Sequence, residues 1–428
     1  MNNKKVFSNA KWIVLCKATQ SILQLIIGMF SARYLGPSNY GLIGYASSVA
    51  AFAFPLMRLG LDATIVKELT DSPEQEGKIM GTALMMDFVS GLFCVLMVCA
   101  FVRIANAGET VTLIVSALYS LSLIFRVLEL MQYWFQHKLA SKYPSIVMLC
   151  SYVIVSIYKI FLLVTQKSIY WFALVNSIDY GISGILLLGI YRKLGGQRFA
   201  FSMKTAKQLF SRSRYFILAS VMVTVFQNTD HIMLKTFSSD AENGFYTAAV
   251  TCVGMVQFIY MAIIDSMQPV ILAEKKANSP DYEKHIATLY SITTYLSLAQ
   301  GIGYAVFAGL IVRILYGAAY ITAVPVLQVL VWQVSFSFMG IVRNIWLLAE
   351  GKQKIIWKLN LAGALLNALI NLLLIPQMGA LGAAVASLVT QIFTNFVLGY
   401  IVPELRSNNR LIIKGMNPKL IRNFLHRA

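Results

Sequence analysis

An almost wholly apolar run from Trp12 to Leu35 carries Lys17, Ser21, Gln24, Gly28 and Ser31 at steps of three and four. That spacing sets them on one face of a helix. A second run, Tyr40 to Val66, carries Ser47, Ser48, Ala51, Pro55, Arg58 and Asp62 along one side. The device returns with Ser220, Thr224, Gln227, His231 and Lys235, and again with Gln257, Met261, Asp265 and Gln268. Cations in such stripes make charge-assisted hydrogen bonds to anions, and amides and hydroxyls hydrogen-bond neutral polar ligands.

Other ionisable groups interrupt apolar stretches: Arg33, Asp87, Arg126, Glu129, Lys159, Asp179, Asp230 and Arg343. Inside a bilayer each costs roughly 2.5 to 3.5 kcal/mol on insertion scales, so it needs a partner, a wet cavity or a route to the interface. Arg58 with Asp62 and Arg126 with Glu129 are spaced to pair on their own helices, and Lys159 with Asp179 to pair between neighbouring helices. Arg33, Arg103, Lys235 and Arg313 lie close enough to the outer helix ends to reach the interface by extending, the reading favoured for Arg103 and Arg313. Lys17 has no opposite charge three or four positions away, which favours a place in a cavity lining. Arg58, Arg126 and Arg343 then form a cationic layer at similar depth, with Asp265 near it and Asp87 alone on its helix. His231 reads as a hydrogen-bonding stripe residue.

The elements that must position these groups follow from composition. The chain is 58% hydrophobic and 13% charged, against roughly 25% charged in soluble domains. The fold class is therefore all-α and polytopic. Twelve transmembrane helices are expected over 12–35, 40–66, 79–102, 110–134, 144–166, 169–191, 214–237, 244–273, 286–315, 321–349, 357–376 and 380–402. The first leads straight from the amino terminus and is too long and too polar on one face for a cleavable signal peptide. The basic connection Arg192 to Arg214 falls after six of the twelve, giving an amino-terminal lobe over 1–203 and a carboxyl-terminal lobe over 204–428. Because six is even, the lobes are expected to be related by a pseudo-twofold axis along the membrane normal.

The net charge of +18 is a topology signal. Lys and Arg crowd the connections on the side of both termini, which assigns the termini to the cytoplasm and the basic loops to anionic lipid headgroups, with no nucleic acid involved. The tail after Glu404 is basic with interspersed Ile and Leu and reads as an amphipathic surface helix. The five cysteines have no metal-ligand spacing and read as packing residues. Neither HxxxH, CxxC, GxxxxGK nor a nucleophile elbow occurs, so no catalytic residue, metal ligand or cofactor is assigned, and the chain is read as a non-enzyme. Short outer connections leave no room for the extracytoplasmic loop expected of a membrane glycan polymerase.

The segment ARYLGPSNYGLIGYA followed by RLGLDATIVKEL resembles the opening of bacterial polysaccharide flippases of the Wzx type, in the superfamily that also holds MurJ and the MATE transporters. The segments QNTDHIMLKTFSSDAENGFYTAA, ILYGAAYITAVPVL and NLLLIPQMGALGAAVAS extend the likeness over nearly the whole chain. The resemblance implies an undecaprenyl-diphosphate-linked oligosaccharide repeat unit carried to the outer leaflet of the bacterial inner membrane by alternating access, for O-antigen, capsule or exopolysaccharide synthesis. It further implies a polysaccharide polymerase and a chain-length regulator as partners; no cofactor is assigned, and a coupling ion, if transport uses one, would be a proton or a sodium ion. The substrate-binding set is Lys17, Gln24, Arg33, Arg58, Arg126, Gln227, Asp230, Lys235, Gln257, Asp265 and Arg343, with Lys17 and Arg58 expected to hold the diphosphate and Tyr45, Tyr246 and Tyr260 suited to stack on sugars. Asp230 matches a position that the family usually fills with Asp. A MATE-like exporter of cationic molecules is the alternative, and it would want a cavity dominated by acidic groups.

Overall fold

The computed structural model describes residues 3–418 and Leu420, without the side chains of residues 3–15, Lys17, Ala18, Ala219 and Phe258. No strand occurs among the described residues. In chain order the α-helices are α1 (Asn3–Arg58), α2 (Ile65–Asp71), α3 (Glu76–Ala105), α4 (Thr110–Arg126), α5 (Met131–His137), α6 (Lys142–Val164), α7 (Ile169–Ala173) and α8 (Val175–Lys193). They continue with α9 (Met203–Phe237), α10 (Asp240–Gly254), α11 (Gln257–Lys276), α12 (Tyr282–Leu315), α13 (Ala323–Ala349), α14 (Ile356–Ile392), α15 (Leu398–Ile401) and α16 (Arg406–Gly415).

Among the described residues, nine helical segments are long and apolar enough to cross a membrane, and one bent pair, α10 with α11, is so when its two helices are taken together. Two of the nine, Thr19–Arg58 and Gln353–Ile401, run for 40 and 49 residues, about twice what a bilayer needs. Each breaks at a left-handed glycine, Gly36 at φ 71° and Gly379 at φ 56°, a conformation that glycine adopts without strain. At the second break the chain doubles back, since the Leu374 carbonyl lies 2.5 Å from where a Cβ on Gly382 would sit. Each long segment thus has length for two spans, which together with the bent pair gives twelve among the described residues.

The second span ends at Arg58, short of the expected Val66. Leu59 and Gly60 take positive φ values of 50° and 70°, and a 3-10 turn and the short α2 follow. A Cβ on Gly60 would meet the Ser213 carbonyl, so the turn is packed as well as bent. The expected fourth span likewise breaks after Arg126 into a 3-10 turn, Val127–Leu130.

The chain falls into two compact units, Met1–Asn228 and Thr229–Ala428. In the first, one apolar cluster gathers Leu61, Ile65, Trp134, Phe135, Tyr191 and Leu209. Another gathers Leu35, Leu42, Val115, Val155 and Phe172.

The connection from α8 to α9 is bound into this first unit. Gly77 N donates to Gln197 Oε1 at 2.9 Å, Gln197 N to Glu76 Oε1 at 3.2 Å, Ala200 N to the Gly77 carbonyl at 3.2 Å, and Ser202 N to Thr82 Oγ1 at 3.1 Å. The strap thereby satisfies one helix-start donor of α3, Gly77 N, which has no partner within the helix, and donates three of its own N–H groups to α3 oxygens. Phe199 stacks on Tyr191, and Arg212 pairs with Glu68. Gly77 and Gly81 make the groove, because a Cβ on either would run into the strap backbone.

Gly77→Val is therefore expected to loosen the strap. Trypsin cleavage after Arg198 in the purified protein should speed up about tenfold, which is about 1.4 kcal/mol of lost local protection. Gly189→Ala, where nothing lies within 4 Å of the added carbon, is the control that should leave the rate unchanged. An unchanged rate in Gly77→Val would show that the groove does not hold the strap.

Candidate functional site

Four charged residues of the first unit, Arg58, Asp87, Arg126 and Glu129, gather where the second, third and fourth spans meet. Arg58 Nη1 lies 2.9 Å from Asp87 Oδ2 and Nη2 lies 2.8 Å from Glu129 Oε2. Arg126 Nε reaches the same Glu129 oxygen at 2.9 Å. Arg58 is 3% exposed and Asp87 fully buried. Such a desolvated pair survives because each charge neutralises its neighbour, and removing one member typically costs about 3 to 5 kcal/mol.

The expected pairing of Arg58 with Asp62 is replaced by these contacts. The helix ends at Arg58, so Asp62 lies beyond the Gly60 turn, where its side chain accepts from the Ala63 backbone at 3.1 Å. Asp87, expected to stand alone, is the principal partner of Arg58. The pairing of Arg126 with Glu129 holds.

The two arginines differ in what they leave free. Both terminal nitrogens of Arg58 are occupied. Arg126 stacks on Phe54, with Cζ 3.6 Å from the ring centroid, and lies 5.1 Å from Tyr180. It is held at Nε only, is 28% exposed, and its Nη groups carry no hydrogen bond among the described residues. A cavity of about 340 Å³ opens beside Arg58, lined in part by Phe54, Pro55, Asp62, Ser220 and Thr224. It brings together the expected stripes of the second and seventh spans.

In the second unit a carboxylate sits among neutral donors. Asp230, 5% exposed, accepts from Tyr246 Oη at 2.5 Å, Ser387 Oγ at 2.6 Å and Asn371 Nδ2 at 2.6 Å. Asn371 Nδ2 also donates to Asn367 Oδ1 at 3.0 Å. The side-chain oxygen of Asn371, Oδ1, is buried without a donor among the described residues. His231 lies 2.7 Å from Asn243 Oδ1 and edge-on to Tyr246, in agreement with a hydrogen-bonding stripe residue. Sequence reasoning missed Asn367, Asn371 and Ser387. Two asparagines four apart in an otherwise apolar span were the available signal.

Arg343 is buried, donates from Nη1 to the Thr394 carbonyl at 2.7 Å and from Nη2 to Asn344 at 3.2 Å, and has no carboxylate partner among these contacts. Lys235 is paired with Asp240 at 2.9 Å, so a salt bridge accounts for it. Gln24, Arg33, Gln227, Gln257 and Asp265 are exposed. The side chain of Lys17 lies outside the described residues.

The tyrosines chosen for sugar stacking are buried inside their units. Tyr45 donates to Asn106 at 2.7 Å, Tyr246 to Asp230, and Tyr260 to Gln300 at 2.7 Å while stacked on Phe338. Their apolar faces are consumed by packing, a common fate for a large ring in a span.

The architecture has counterparts. Over 94% of this chain and 89% of the other it matches the lipid II flippase MurJ in its inward closed conformation, with a TM-score of 0.75 at 15% identity. The teichuronic acid biosynthesis protein TuaB of Bacillus subtilis is 22% identical over 93% of this chain and 83% of its own length. An uncharacterized membrane protein of Methanocaldococcus jannaschii is 29% identical over 53% of this chain, and the match spans 44% of that protein. The family described as polysaccharide biosynthesis protein matches residues 6–275. With that match over more than half its length, this multi-pass membrane chain belongs to the polysaccharide biosynthesis protein family.

Proposed function

We propose that the chain is a flippase that carries undecaprenyl-diphosphate-linked oligosaccharide repeat units across the cytoplasmic membrane for surface polysaccharide synthesis. The lobes 1–203 and 204–428 rock to open the site to each side in turn. Both termini are cytoplasmic, as the crowding of Lys and Arg on their side supports. A polymerase and a chain-length regulator would receive the product. The chain works by transport and not by catalysis.

The observation that carries this reading is Arg126. A guanidinium fixed at Nε by Glu129 and floored by Phe54 keeps its remaining N–H groups in one plane, the geometry that phosphate oxygens accept. Arg126 with Lys17 supplies the cations for the diphosphate, and Arg58 acts through Glu129 as a positioning residue. Gln24, Arg33, Gln227, Lys235, Gln257, Asp265 and Arg343 complete the proposed set, with exposed amides for sugar hydroxyls. A proton or sodium ion is the coupling species. Asp230 and the undonated Asn371 oxygen are the groups that would hold it, and it would neutralise the carboxylate.

The test is translocation in liposomes of a fluorescent undecaprenyl-diphosphate oligosaccharide, read by the fraction open to an external reductant. The protein should speed transfer between leaflets. Arg126→Gln should slow it about tenfold or more, the size of one lost charge-assisted contact, and Arg126→Lys should slow it less. Transfer no faster than in empty liposomes would sink the reading. Normal transfer by Arg126→Gln would remove Arg126 from it.

A further inference from the structure

The last span ends at Ile401, and after the turn Pro403–Leu405 the chain forms α16. Its two faces differ in kind. Asn408, Asn409, Leu411, Ile412 and Gly415 are buried, whereas Arg406, Arg410, Ile413 and Lys414 are exposed, a spacing that makes one stripe.

The buried face is tied to the bundle by specific bonds. Asn408 Oδ1 accepts from Tyr290 Oη at 2.8 Å, Tyr295 Oη donates to the Met416 carbonyl at 2.7 Å, and Asn409 Nδ2 donates to the Phe396 carbonyl at 2.9 Å. Gly415 packs so closely on Tyr290 that an added Cβ would sit 2.6 Å from the tyrosine Cβ. Phe396 lies in a π-helical turn, Phe393–Val397, whose altered bonding pattern is uncommon and needs support from outside the helix. Arg343 gives that support at the Thr394 carbonyl and Asn409 gives it at Phe396.

Among the described residues, the exposed face is held only by long, solvent-facing contacts. Arg410 makes no ion pair among the described residues, and Lys414 is 3.7 Å from Glu283 with both side chains more than half exposed, a contact worth little in solvent. Ile413, 52% exposed, sits among these cations, and Tyr400 and Ile401 at the end of the last span are exposed as well. Arg406 Nε donates to the Tyr400 carbonyl at 3.4 Å, so the basic stripe continues directly from the outer surface of a span. Cations interleaved with exposed apolar side chains, held at the end of a span by a three-residue turn, are complementary to the anionic headgroup layer.

We propose that α16 rests Arg406, Arg410 and Lys414 on anionic phospholipid headgroups, and that its docking holds the π turn of the last span through Asn409. Lipid charge thereby sets the stability of that turn, whatever substrate the protein moves.

The experiment uses the full-length protein with its native cysteines replaced and an environment-sensitive fluorophore on Ile413→Cys. Nanodiscs of phosphatidylcholine are compared with nanodiscs that also contain phosphatidylglycerol. Acrylamide quenching should fall about threefold with phosphatidylglycerol, because each basic side chain gains of order 1 kcal/mol at an anionic surface. High salt should erase the difference. Soluble glycerol phosphate should not reproduce it. The combined Arg406→Gln, Arg410→Gln and Lys414→Gln variant should be quenched equally in both lipids.

Amide exchange over residues 393–397 should slow with phosphatidylglycerol in the wild type and quicken about tenfold in Asn409→Ala. Equal wild-type quenching in both lipids, a lipid response that survives in the triple variant, or the same response to soluble glycerol phosphate would each overturn the headgroup contact. Exchange at 393–397 that is indifferent to lipid would overturn the link to the π turn. That wild-type comparison decides the point even where Asn409→Ala does not accumulate.

Discussion

Arg58→Gln is expected to remove most of the folded protein. The substitution leaves Asp87 fully buried with its salt-bridge partner gone, and Glu129 with Arg126 as its remaining cation among the described residues. Breaking a buried pair from one side costs about 3 to 5 kcal/mol, a large share of the roughly 5 to 15 kcal/mol that holds a typical protein folded. The measurement is the monodisperse fraction after detergent extraction, beside total membrane abundance. Arg58→Lys should recover part of the loss, since it keeps the charge and one of the two contacts. Replacing both partners with apolar residues, Arg58→Met with Asp87→Leu, should recover more than Arg58→Gln alone, because no isolated charge remains. If Arg58→Gln is as abundant and monodisperse as wild type, the quartet is not a structural element. Its assignment as the strut behind Arg126 would then fail as well.

Asp230 separates stability from coupling. In Asp230→Leu the hydroxyls of Tyr246 and Ser387 and the amide of Asn371 lose their acceptor, all of them buried. Each orphaned group costs about 1 to 3 kcal/mol, so the folded fraction should fall at least tenfold even with partial relaxation. Asp230→Asn keeps the shape and one acceptor oxygen, so it orphans fewer buried donors and its folded fraction should fall less than that of Asp230→Leu. It removes the charge that an ion would neutralise. Translocation by Asp230→Asn should therefore stop responding to an imposed proton or sodium gradient. A gradient response equal to that of wild type would exclude Asp230 as the coupling group.

The spans were legible because their apolar length is a constraint of the membrane itself, and Gly36 with Pro37 marked the first reversal through backbone conformation alone. Partners across helices were not. A three- or four-residue spacing has meaning only while the helix continues, and the positive φ at Leu59 and Gly60 ended the helix between Arg58 and Asp62. The pairing of Arg126 with Glu129 survived a similar break because the 3-10 turn Val127–Leu130 keeps residues three apart on one side. Depth could be estimated from rise per residue, but which neighbour a side chain faces depends on how helices are rotated against each other. For that reason Arg58 was placed in a cationic layer, and its carboxylate partners on the third and fourth spans went unseen. Tyr45, Tyr246 and Tyr260 were misread for the same reason, since ring type does not tell an inward face from an open one.

The strap at Gln197–Ser202 bears on how the chain is made. A membrane protein leaves the ribosome span by span, and by Lys193 six spans have emerged. Yet the Gly77 donor at the start of α3 is still without its partner, and the apolar cluster that holds Leu209 is still incomplete, at that point. The first unit is finished only when the opening turns of α9 have followed. The order of synthesis thus delivers part of the seventh span as the closing piece of the first unit before the second unit begins to form.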